Sequence, residues 1–247
     1  MTFDAHPRSS LIVALDFDSL SSALKFAQKV SDLVGMFKIG SQLFTSAGPE
    51  AVKQVSALGN AIFLDLKFHD IPNTVASAVL SSAAMPGVQL VNVHALGGAP
   101  MLQAAAQAVS AGVPMGADRT RLIAVTILTS MDHKAMREAG IGGTPLTSAV
   151  KLARLAKESG VDGVVASVQE AKAIRKACGS EFLIVTPGVR PAETSGEKKK
   201  DDQARTATPA QAIKAGADYI VVGRPIIAAA DPRVAAQEIV EEIAAAK

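Results

Sequence analysis

Short apolar runs recur along the chain, and a longer stretch of helical periodicity separates each run from the next. The runs predict strands at residues 11–15, 36–39, 62–66, 90–93, 122–127, 163–166, 183–186 and 219–222. The longer stretches predict helices at residues 19–33, 49–58, 73–84, 99–111, 145–159, 169–177, 209–215 and 232–246. Continuous apolar strands that alternate with helices indicate a parallel sheet covered on both faces. Eight such units predict a closed (β/α)₈ barrel, although the pattern alone leaves a doubly wound open sheet as an alternative.

The length and composition fit one domain of this kind. The chain has 247 residues, of which 49% are hydrophobic, and about 250 residues are typical of a (β/α)₈ barrel. Glycines and prolines are scattered between the apolar runs and mark no linker. Residues 1–247 are therefore predicted to form a single domain. The formal net charge of +2 is too small and too dispersed to indicate binding to nucleic acid.

The sequence also carries expectations about compartment and redox chemistry. A polar N-terminus and the lack of eighteen consecutive apolar residues predict a cytoplasmic protein with no membrane segment. The single cysteine, Cys178, has no second cysteine with which to form a disulfide or a thiolate metal site. We therefore expect Cys178 to be a small buried or half-buried residue.

Charged side chains end the first three apolar runs, at the positions where a barrel enzyme carries its chemistry. Asp16 follows the first run, Lys38 lies near the end of the second, and Asp65 and Lys67 end the third, with Asp70 close behind. Since side chains alternate along a strand, Asp65 and Lys67 are predicted to share one face. A set of structural ion pairs is the alternative, but burying each ion costs several kcal/mol. The pattern therefore favours a catalytic cluster whose carboxylates keep the lysines protonated.

A second cluster of functional candidates follows the seventh and eighth runs. Arg190 precedes a polar stretch at residues 191–208 that is too long for a simple connector, and such stretches are often lids or ligand clamps. Gly223, Arg224 and Pro225 follow the eighth run, where Pro225 suits the first turn of a helix. The seventh and eighth loops of such barrels commonly hold phosphate. The sequence therefore predicts an anion site at these loops.

Several motifs in the chain resemble those of one enzyme family. Residues 65–75 read DLKFHDIPNTV, which is similar to the signature of the orotidine 5′-monophosphate decarboxylases, in particular the bacterial ones. Further segments resemble motifs of that family in the family's order: LDFD at 15–18, FKIG at 37–40, LTS at 128–130, PGVR at 187–190, DDQ at 201–203 and VGRP at 222–225. The resemblance therefore runs along the whole chain.

The resemblance implies a (β/α)₈-barrel decarboxylase that makes uridine 5′-monophosphate from orotidine 5′-monophosphate in pyrimidine biosynthesis, without a metal or a cofactor. It implies that Lys67 protonates C6 of the pyrimidine while Asp65 lies against the substrate carboxylate. Lys38 by the same match completes the charge network, and Asp16 binds the ribose. The catalytic residues implied are therefore Lys38, Asp65, Lys67 and Asp70.

The resemblance also implies the remaining ligand contacts and the oligomeric state. Asp70 and Thr74 are implied to contact the ligand of a neighbouring subunit, which makes the protein a homodimer with shared active sites, and Ile71 is implied to bind substrate. The residues implied to recognise the pyrimidine are Thr129 and Ser130. The residues implied to hold the phosphate are Gln203, Gly223 and Arg224, with Arg190 at the base of the phosphate loop.

The sequence leaves two other functions as alternatives. A sister class of barrels shares the Asp-x-Lys-x-x-Asp motif and uses Mg²⁺ to decarboxylate keto-sugar phosphates or to synthesise hexulose phosphate. Those enzymes resemble this chain but need an acidic residue on the second strand, where Lys38 would oppose the metal. A non-catalytic barrel that binds a nucleotide would lack part of the charged cluster, all of which is present here. His69 and His94 receive no catalytic role.

Overall fold

The computed structural model describes residues 6–111, 119–191 and 206–247 of the chain. Eight parallel strands close into a barrel, in which each strand pairs with the next and the last pairs with the first. The strands are β1 (Leu11–Ala14), β2 (Met36–Gly40), β3 (Ala61–Phe68), β4 (Val88–His94), β5 (Arg121–Val125), β6 (Gly163–Val165), β7 (Leu183–Thr186) and β8 (Tyr219–Val222). The predicted (β/α)₈ barrel is thus confirmed, and the pairing of β1 with β8 excludes the open sheet.

Helices connect successive strands. Within the described residues they are α1 (Leu20–Val30), α2 (Ser41–Ala47), α3 (Pro49–Ser56), α4 (Pro72–Ala83), α5 (Gly98–Ala111), α6 (His133–Glu138), α7 (Pro145–Glu158), α8 (Val168–Cys178), α9 (Pro209–Lys214), α10 (Arg224–Ile227) and α11 (Pro232–Ala244). Short 3₁₀ turns lie at Pro7–Ser10, Ser31–Leu33 and Ala95–Gly97. In the part of the chain that the structure describes, no helix is long and apolar enough to cross a membrane. Cys178 is buried, as expected.

Local capping chemistry sets where several helices begin. Thr144, Ser167 and Thr208 each form a capping box at the start of α7, α8 and α9, so that a side chain and the backbone satisfy each other's hydrogen bonds. The Asp231 carboxylate accepts hydrogen bonds from two backbone N–H groups at the start of α11. These helices were predictable because their start signals are local in the sequence.

Apolar periodicity does not predict three of the short helices, α2, α6 and α10. They contain seven, six and four residues. An element of two turns or fewer contains too few residues to establish a 3.6-residue period. Helices α2 and α10 follow β2 and β8 directly, so both begin at the C-terminal end of the barrel.

The barrel interior changes from apolar to polar towards its C-terminal end. A buried apolar cluster inside the barrel includes Ile12, Met36, Phe63, Leu90, Ile123, Leu183 and Val221. Two positions further along β2, β3 and β4, where alternation again turns the side chain inward, the buried residues are Lys38, Asp65 and Asn92. The apolar core therefore supports a polar layer at the end of the barrel where such enzymes bind substrate.

Strand β3 is longer than predicted and irregular near its end. It pairs Leu64 with Val91 and Phe68 with Val93, so three residues of β3 lie opposite a single residue of β4. Lys67 lies in this bulge with a φ of 52°, the one positive φ of a non-glycine residue in the described part of the chain. Such a backbone conformation is strained for a residue with a Cβ atom, and strain of this kind concentrates at functional sites.

Candidate active site

A cavity of about 840 Å³ opens at the C-terminal end of the barrel. Nine of the residues predicted from the sequence line it: Asp16, Lys38, Asp65, Lys67, Thr129, Ser130, Arg190, Gly223 and Arg224. Apolar side chains such as Phe63, Val125 and Ile127 complete part of the wall. Cavities that hold small molecules and cofactors span about 300–1,000 Å³, so the volume suits a ligand of nucleotide size.

Four charged side chains form a continuous chain of ion pairs in this cavity. Lys38 Nζ lies 3.2 Å from Asp65 Oδ2 and 3.3 Å from Asp16 Oδ1. Lys67 Nζ donates a hydrogen bond to the other oxygen of the same carboxylate, Asp65 Oδ1, at 2.6 Å. The side chains of Lys38 and Asp65 are 11% and 10% exposed, whereas that of Lys67 is 39% exposed. Asp65 therefore holds both ammoniums, and the Lys67 ammonium is the more accessible from the cavity.

Charge pairing decides the protonation of the buried members of this network. Burial by itself would lower the pKa of the Lys38 ammonium, but the carboxylates of Asp65 and Asp16 outweigh it and hold that pKa above its usual value. Burial would likewise raise the pKa of the Asp65 carboxyl, but the ammoniums of Lys38 and Lys67 reverse the shift and hold that pKa below its usual value. Lys38 and Asp65 are therefore both ionised across the neutral range.

We expect Lys38→Met to lower the free energy of unfolding at pH 7 by about 3 kcal/mol, the lower end for breaking a buried pair, since Asp65 keeps Lys67 as a partner. The pKa of Asp65 is depressed in the folded protein, so its ionic stabilisation is present above the unfolded pKa of about 4 and is lost as the pH falls further. Denaturant unfolding should therefore show a difference between variant and wild type that shrinks below about pH 4.

Lys53→Met is the matched control for that measurement. Lys53 is exposed and lies 3.9 Å from Glu50 on α3, so its removal is expected to change stability little at any pH. An equal loss of stability for Lys38→Met at acid and neutral pH would contradict the ionic origin of the effect.

Gly40 makes room for the charged network and was not among the residues predicted from the sequence. A Cβ atom built on Gly40 would lie 2.9 Å from Lys38 Nζ and 3.6 Å from Asp16 Oδ1. Any side chain at this position would therefore displace the Lys38 ammonium from its carboxylate partners. A glycine two residues after a lysine at the end of a buried strand was the available signal.

Asn92 is the second residue near the network that sequence reasoning missed. It is fully buried, and its Nδ2 donates a hydrogen bond to Asp65 Oδ1 at 2.7 Å. The available signal was a single amide inside the otherwise apolar run at residues 90–93, because a buried amide requires hydrogen-bond partners.

Two arginines lie on the opposite side of the barrel from β3. Arg190 follows β7, and its backbone N–H donates to the Ala207 carbonyl at 2.9 Å. Arg224 begins α10, and Gly223 precedes it at the edge of the cavity. The predicted phosphate ligand Gln203 and the segment 193–200 lie outside the described residues. The described part of this side therefore places two arginines at the cavity, which suits a dianionic ligand group.

Three predicted residues do not line the cavity of their own chain. Asp70, Ile71 and Thr74 are all exposed, and Ile71 is 67% accessible to solvent. The Asp70 Oδ1 atom accepts a hydrogen bond from the backbone N–H of Ile71 at 2.6 Å. Within one chain, the charge network therefore consists of Asp16, Lys38, Asp65 and Lys67, without Asp70.

The two histidines near the third and fourth strands stack on each other outside the cavity lining. The ring centroids of His69 and His94 are 5.3 Å apart. Burial, followed by the nearby charges of His69 and Lys67, holds the pKa of His94 below its usual value, so its ring is neutral at pH 7. Its Nδ1 atom accepts a hydrogen bond from the backbone N–H of Leu96. Among the described residues, no group of three or more His, Cys, Asp or Glu side chains could hold a metal ion.

The closed parallel barrel and its charged C-terminal cavity define a (β/α)₈ protein of the enzyme type, with a lysine–aspartate network facing two arginines. Sequence comparison then places it within that class. The profile of the Orotidine 5'-phosphate decarboxylase / HUMPS family matches residues 9–239, and the chain belongs to this family.

Individual relatives agree with this assignment over nearly the full length. The chain is 54% identical over 238 residues to the orotidine 5'-phosphate decarboxylase of Trichlorobacter lovleyi, which covers 96% of both proteins. It is 51% identical to the enzyme of that name from Geotalea daltonii, over 96% of this chain and 97% of the relative. The crystal structure of the orotidine 5'-phosphate decarboxylase from Lactobacillus acidophilus superposes with a TM-score of 0.81 at 39% identity, over 94% of this chain and 98% of the other.

Proposed function

We propose that this chain is a carboxy-lyase that converts orotidine 5′-monophosphate to uridine 5′-monophosphate and carbon dioxide in pyrimidine biosynthesis, in the cytoplasm. The observation that carries the proposal is the 2.6 Å contact between Lys67 Nζ and Asp65 Oδ1 in a cavity of nucleotide size. Relatives at about 50% identity that are named for this reaction support the same activity.

Lys67 is the proposed proton donor. When the bond between C6 and the carboxylate carbon breaks, its electron pair stays on C6 in the plane of the ring, where no conjugated system accepts it. A fixed ammonium beside C6 stabilises this charge, because a preorganised cation needs no reorganisation as the charge develops. The Lys67 ammonium then transfers a proton to C6, carbon dioxide departs, and the neutral amine takes a proton from solvent.

Asp65 and Lys38 are proposed to hold that ammonium in position. One oxygen of Asp65 accepts from Lys67 and the other faces Lys38, so the carboxylate stays ionised between two cations. With the substrate bound, the Asp65 carboxylate would lie beside the substrate carboxylate. Repulsion between the two groups is relieved as neutral carbon dioxide leaves.

The remaining cavity residues are proposed to bind the parts of the substrate that do not react. Thr129 and Ser130 would contact the pyrimidine, and Asp16 would contact the ribose. Arg190, Arg224 and the Gly223 backbone would hold the phosphate, together with Gln203. Binding energy at the phosphate contributes to catalysis when it orders groups around the distant reacting carbon.

We expect Arg224→Ala to lower kcat/KM for orotidine 5′-monophosphate by about 10- to 100-fold, because a hydrogen bond to a charged group contributes about 1.5–3 kcal/mol. Turnover of orotidine, which lacks the phosphate, should not change. Steady-state kinetics on both substrates check this, with Arg154→Ala as control because Arg154 is exposed on α7 and does not line the cavity. A loss of equal size on both substrates would contradict a phosphate role.

A homodimer with shared sites is part of the proposal. Asp70 and Thr74 lie outside the cavity of their own chain, and the elements that follow β3 and β4 expose three large apolar residues, Ile71, Leu80 and Leu96. An apolar surface that is left exposed is typical of a protein interface. A second copy of the chain on this surface would cover the apolar side chains and could bring Asp70 to the partner's cavity.

The Mg²⁺-dependent sister reactions are less well supported. Lys38 occupies the place of an acidic metal ligand on the second strand, and its ammonium already pairs with Asp65 and Asp16. A metal at this position would face a buried cation.

Direct assay separates the candidate functions. The purified protein is incubated with orotidine 5′-monophosphate, and the pyrimidine absorbance is followed with and without excess EDTA. We expect turnover that EDTA does not change. The absence of turnover under any ionic condition would indicate a nucleotide-binding barrel, and a loss with EDTA that Mg²⁺ restores would indicate the metal-dependent class.

A further inference from the structure

Asn92 lies opposite the bulge of β3 that carries the proposed proton donor. Between the pairs Leu64 with Val91 and Phe68 with Val93, it is the single residue of β4 that faces three residues of β3. A regular parallel ladder cannot form over this stretch, because the two strands contribute unequal numbers of residues. The side chain of Asn92 makes the hydrogen bonds that join the strands at this point.

Both ends of the Asn92 amide are used. Nδ2 donates to Asp65 Oδ1 at 2.7 Å, and Oδ1 accepts from the backbone N–H of Lys67 at 2.8 Å. Asn92 is fully buried, so neither atom has access to solvent as an alternative partner. A donor and an acceptor on one short planar group are needed here, which excludes an aliphatic residue or an ionised carboxylate.

One of these hydrogen bonds acts on the Asp65 carboxylate, and the other acts on the Lys67 backbone. The first shares Asp65 Oδ1 with the Lys67 ammonium, and thereby fixes which carboxylate oxygen faces Lys67 and from which direction. The second holds the Lys67 backbone at its φ of 52°, a conformation that is strained for a residue with a Cβ atom. The other polar residues of β4 are Gln89, which is exposed, and His94 at the end of the strand.

We propose that Asn92 is a positioning residue, which sets the direction of the Lys67 ammonium by anchoring both the Lys67 backbone and its carboxylate partner. This inference rests on the proposed function and adds a residue that touches neither the substrate nor the reacting atoms. A substitution of Asn92 should therefore affect the chemical step rather than substrate binding, since a change in β4 leaves Arg190 and Arg224 in place.

We expect Asn92→Ala to lower kcat for orotidine 5′-monophosphate by about 100-fold, as for a reactive group displaced by about 1 Å, with a much smaller change in KM. Thr126→Val is the matched control. Thr126 is buried just after β5 and donates to the Val165 carbonyl at 2.9 Å, and it does not line the cavity. Its loss removes a buried hydrogen bond of similar type without touching Lys67 or Asp65.

The Asn92→Asp variant distinguishes a positioning role of Asn92 from a packing role, because aspartate has nearly the same shape as asparagine. A carboxyl group buried beside Asp65 is expected to have a raised pKa. Its protonated form regains both functions of the amide: the O–H donates to Asp65 and the carbonyl accepts from Lys67. The kcat of Asn92→Asp relative to wild type should therefore rise as the pH falls, whereas a packing defect would give the same relative kcat at every pH.

A readout that needs no substrate tests the inference separately from the proposed function. The acylation rate of the Lys67 amine by an amine-reactive reagent is compared with that of exposed Lys53 by peptide mass spectrometry. We expect the relative rate at Lys67 to rise in Asn92→Ala and to stay unchanged in Thr126→Val. If the wild type does not turn over orotidine 5′-monophosphate, the proposed function fails and this labelling still decides the role of Asn92. The inference would be overturned if both Asn92 variants had the same Lys67 acylation rate and the same kcat as the Thr126→Val control.

Discussion

The Lys67→Ala variant is expected to lose decarboxylation by at least about 10⁴-fold in kcat. A general acid contributes about 10²–10⁴-fold, and a preorganised charge at the developing anion contributes about a further 10²–10³-fold. Alanine at residue 67 removes both contributions at once. Single-turnover and steady-state measurements with orotidine 5′-monophosphate check the loss.

The fold and the affinity for nucleotide should survive this change. Asp65 keeps Lys38 at 3.2 Å and Asn92 at 2.7 Å, so its buried carboxylate does not lose all its partners. Alanine is as strained as lysine at a φ of 52°, so the backbone cost stays the same. Thermal unfolding and the affinity for uridine 5′-monophosphate are the controls, with Lys53→Ala as the matched lysine variant. A kcat close to that of wild type would remove Lys67 from the centre of the mechanism.

Mixing Lys67→Ala and Asp70→Ala subunits should restore activity that neither variant has alone. In a homodimer of either variant, both shared sites lack one essential group. In a mixed dimer, one site lacks both groups, while the other joins an intact Lys67 to an intact Asp70 across the two-fold axis. Random exchange makes half of the dimers mixed and leaves half of their sites whole. Recovery should therefore approach about a quarter of wild-type activity if the sites act independently.

This complementation tests the proposal that Asp70 acts across the subunit interface. The shared-site proposal explains why Asp70 is exposed and lies outside the cavity of its own chain. Subunit exchange is verified with two different affinity tags before activity is measured. If exchange occurs and no activity returns, Asp70 acts within its own chain or the sites are coupled, and the shared-site proposal must be withdrawn or revised.

Much of the site was predictable because its residues occupy recognisable places in a repeating pattern. Nine predicted residues line one cavity, among them Asp16, Lys38 and Lys67 at the ends of successive strands. The prediction that Asp65 and Lys67 share a face is confirmed by their 2.6 Å contact, although β3 bulges between Leu64 and Phe68. Their chemical roles stay predictions.

Other features were not predictable because they depend on contacts distant in sequence. Asn92 lies 27 residues from Asp65 along the chain and contacts it only because β3 and β4 are neighbours. The exclusion of a side chain at Gly40 depends on where the Lys38 ammonium folds back. Neither constraint leaves a periodic signal in the sequence.

The sequence by itself determined the number of strands, the alternation with helices and the charges at the strand ends, because apolar periodicity and capping act over a few residues. Only the tertiary structure decided that the sheet closes, through pairing of Leu11 with Ile220 and Val13 with Val222. Closure brings strand ends that are distant in the chain to one rim, and this makes a single cavity from Lys67 on β3 and Arg224 after β8. The direction of the Lys67 ammonium was likewise decided by tertiary contacts, since it depends on an unequal pairing of β3 with β4 that no local pattern encodes.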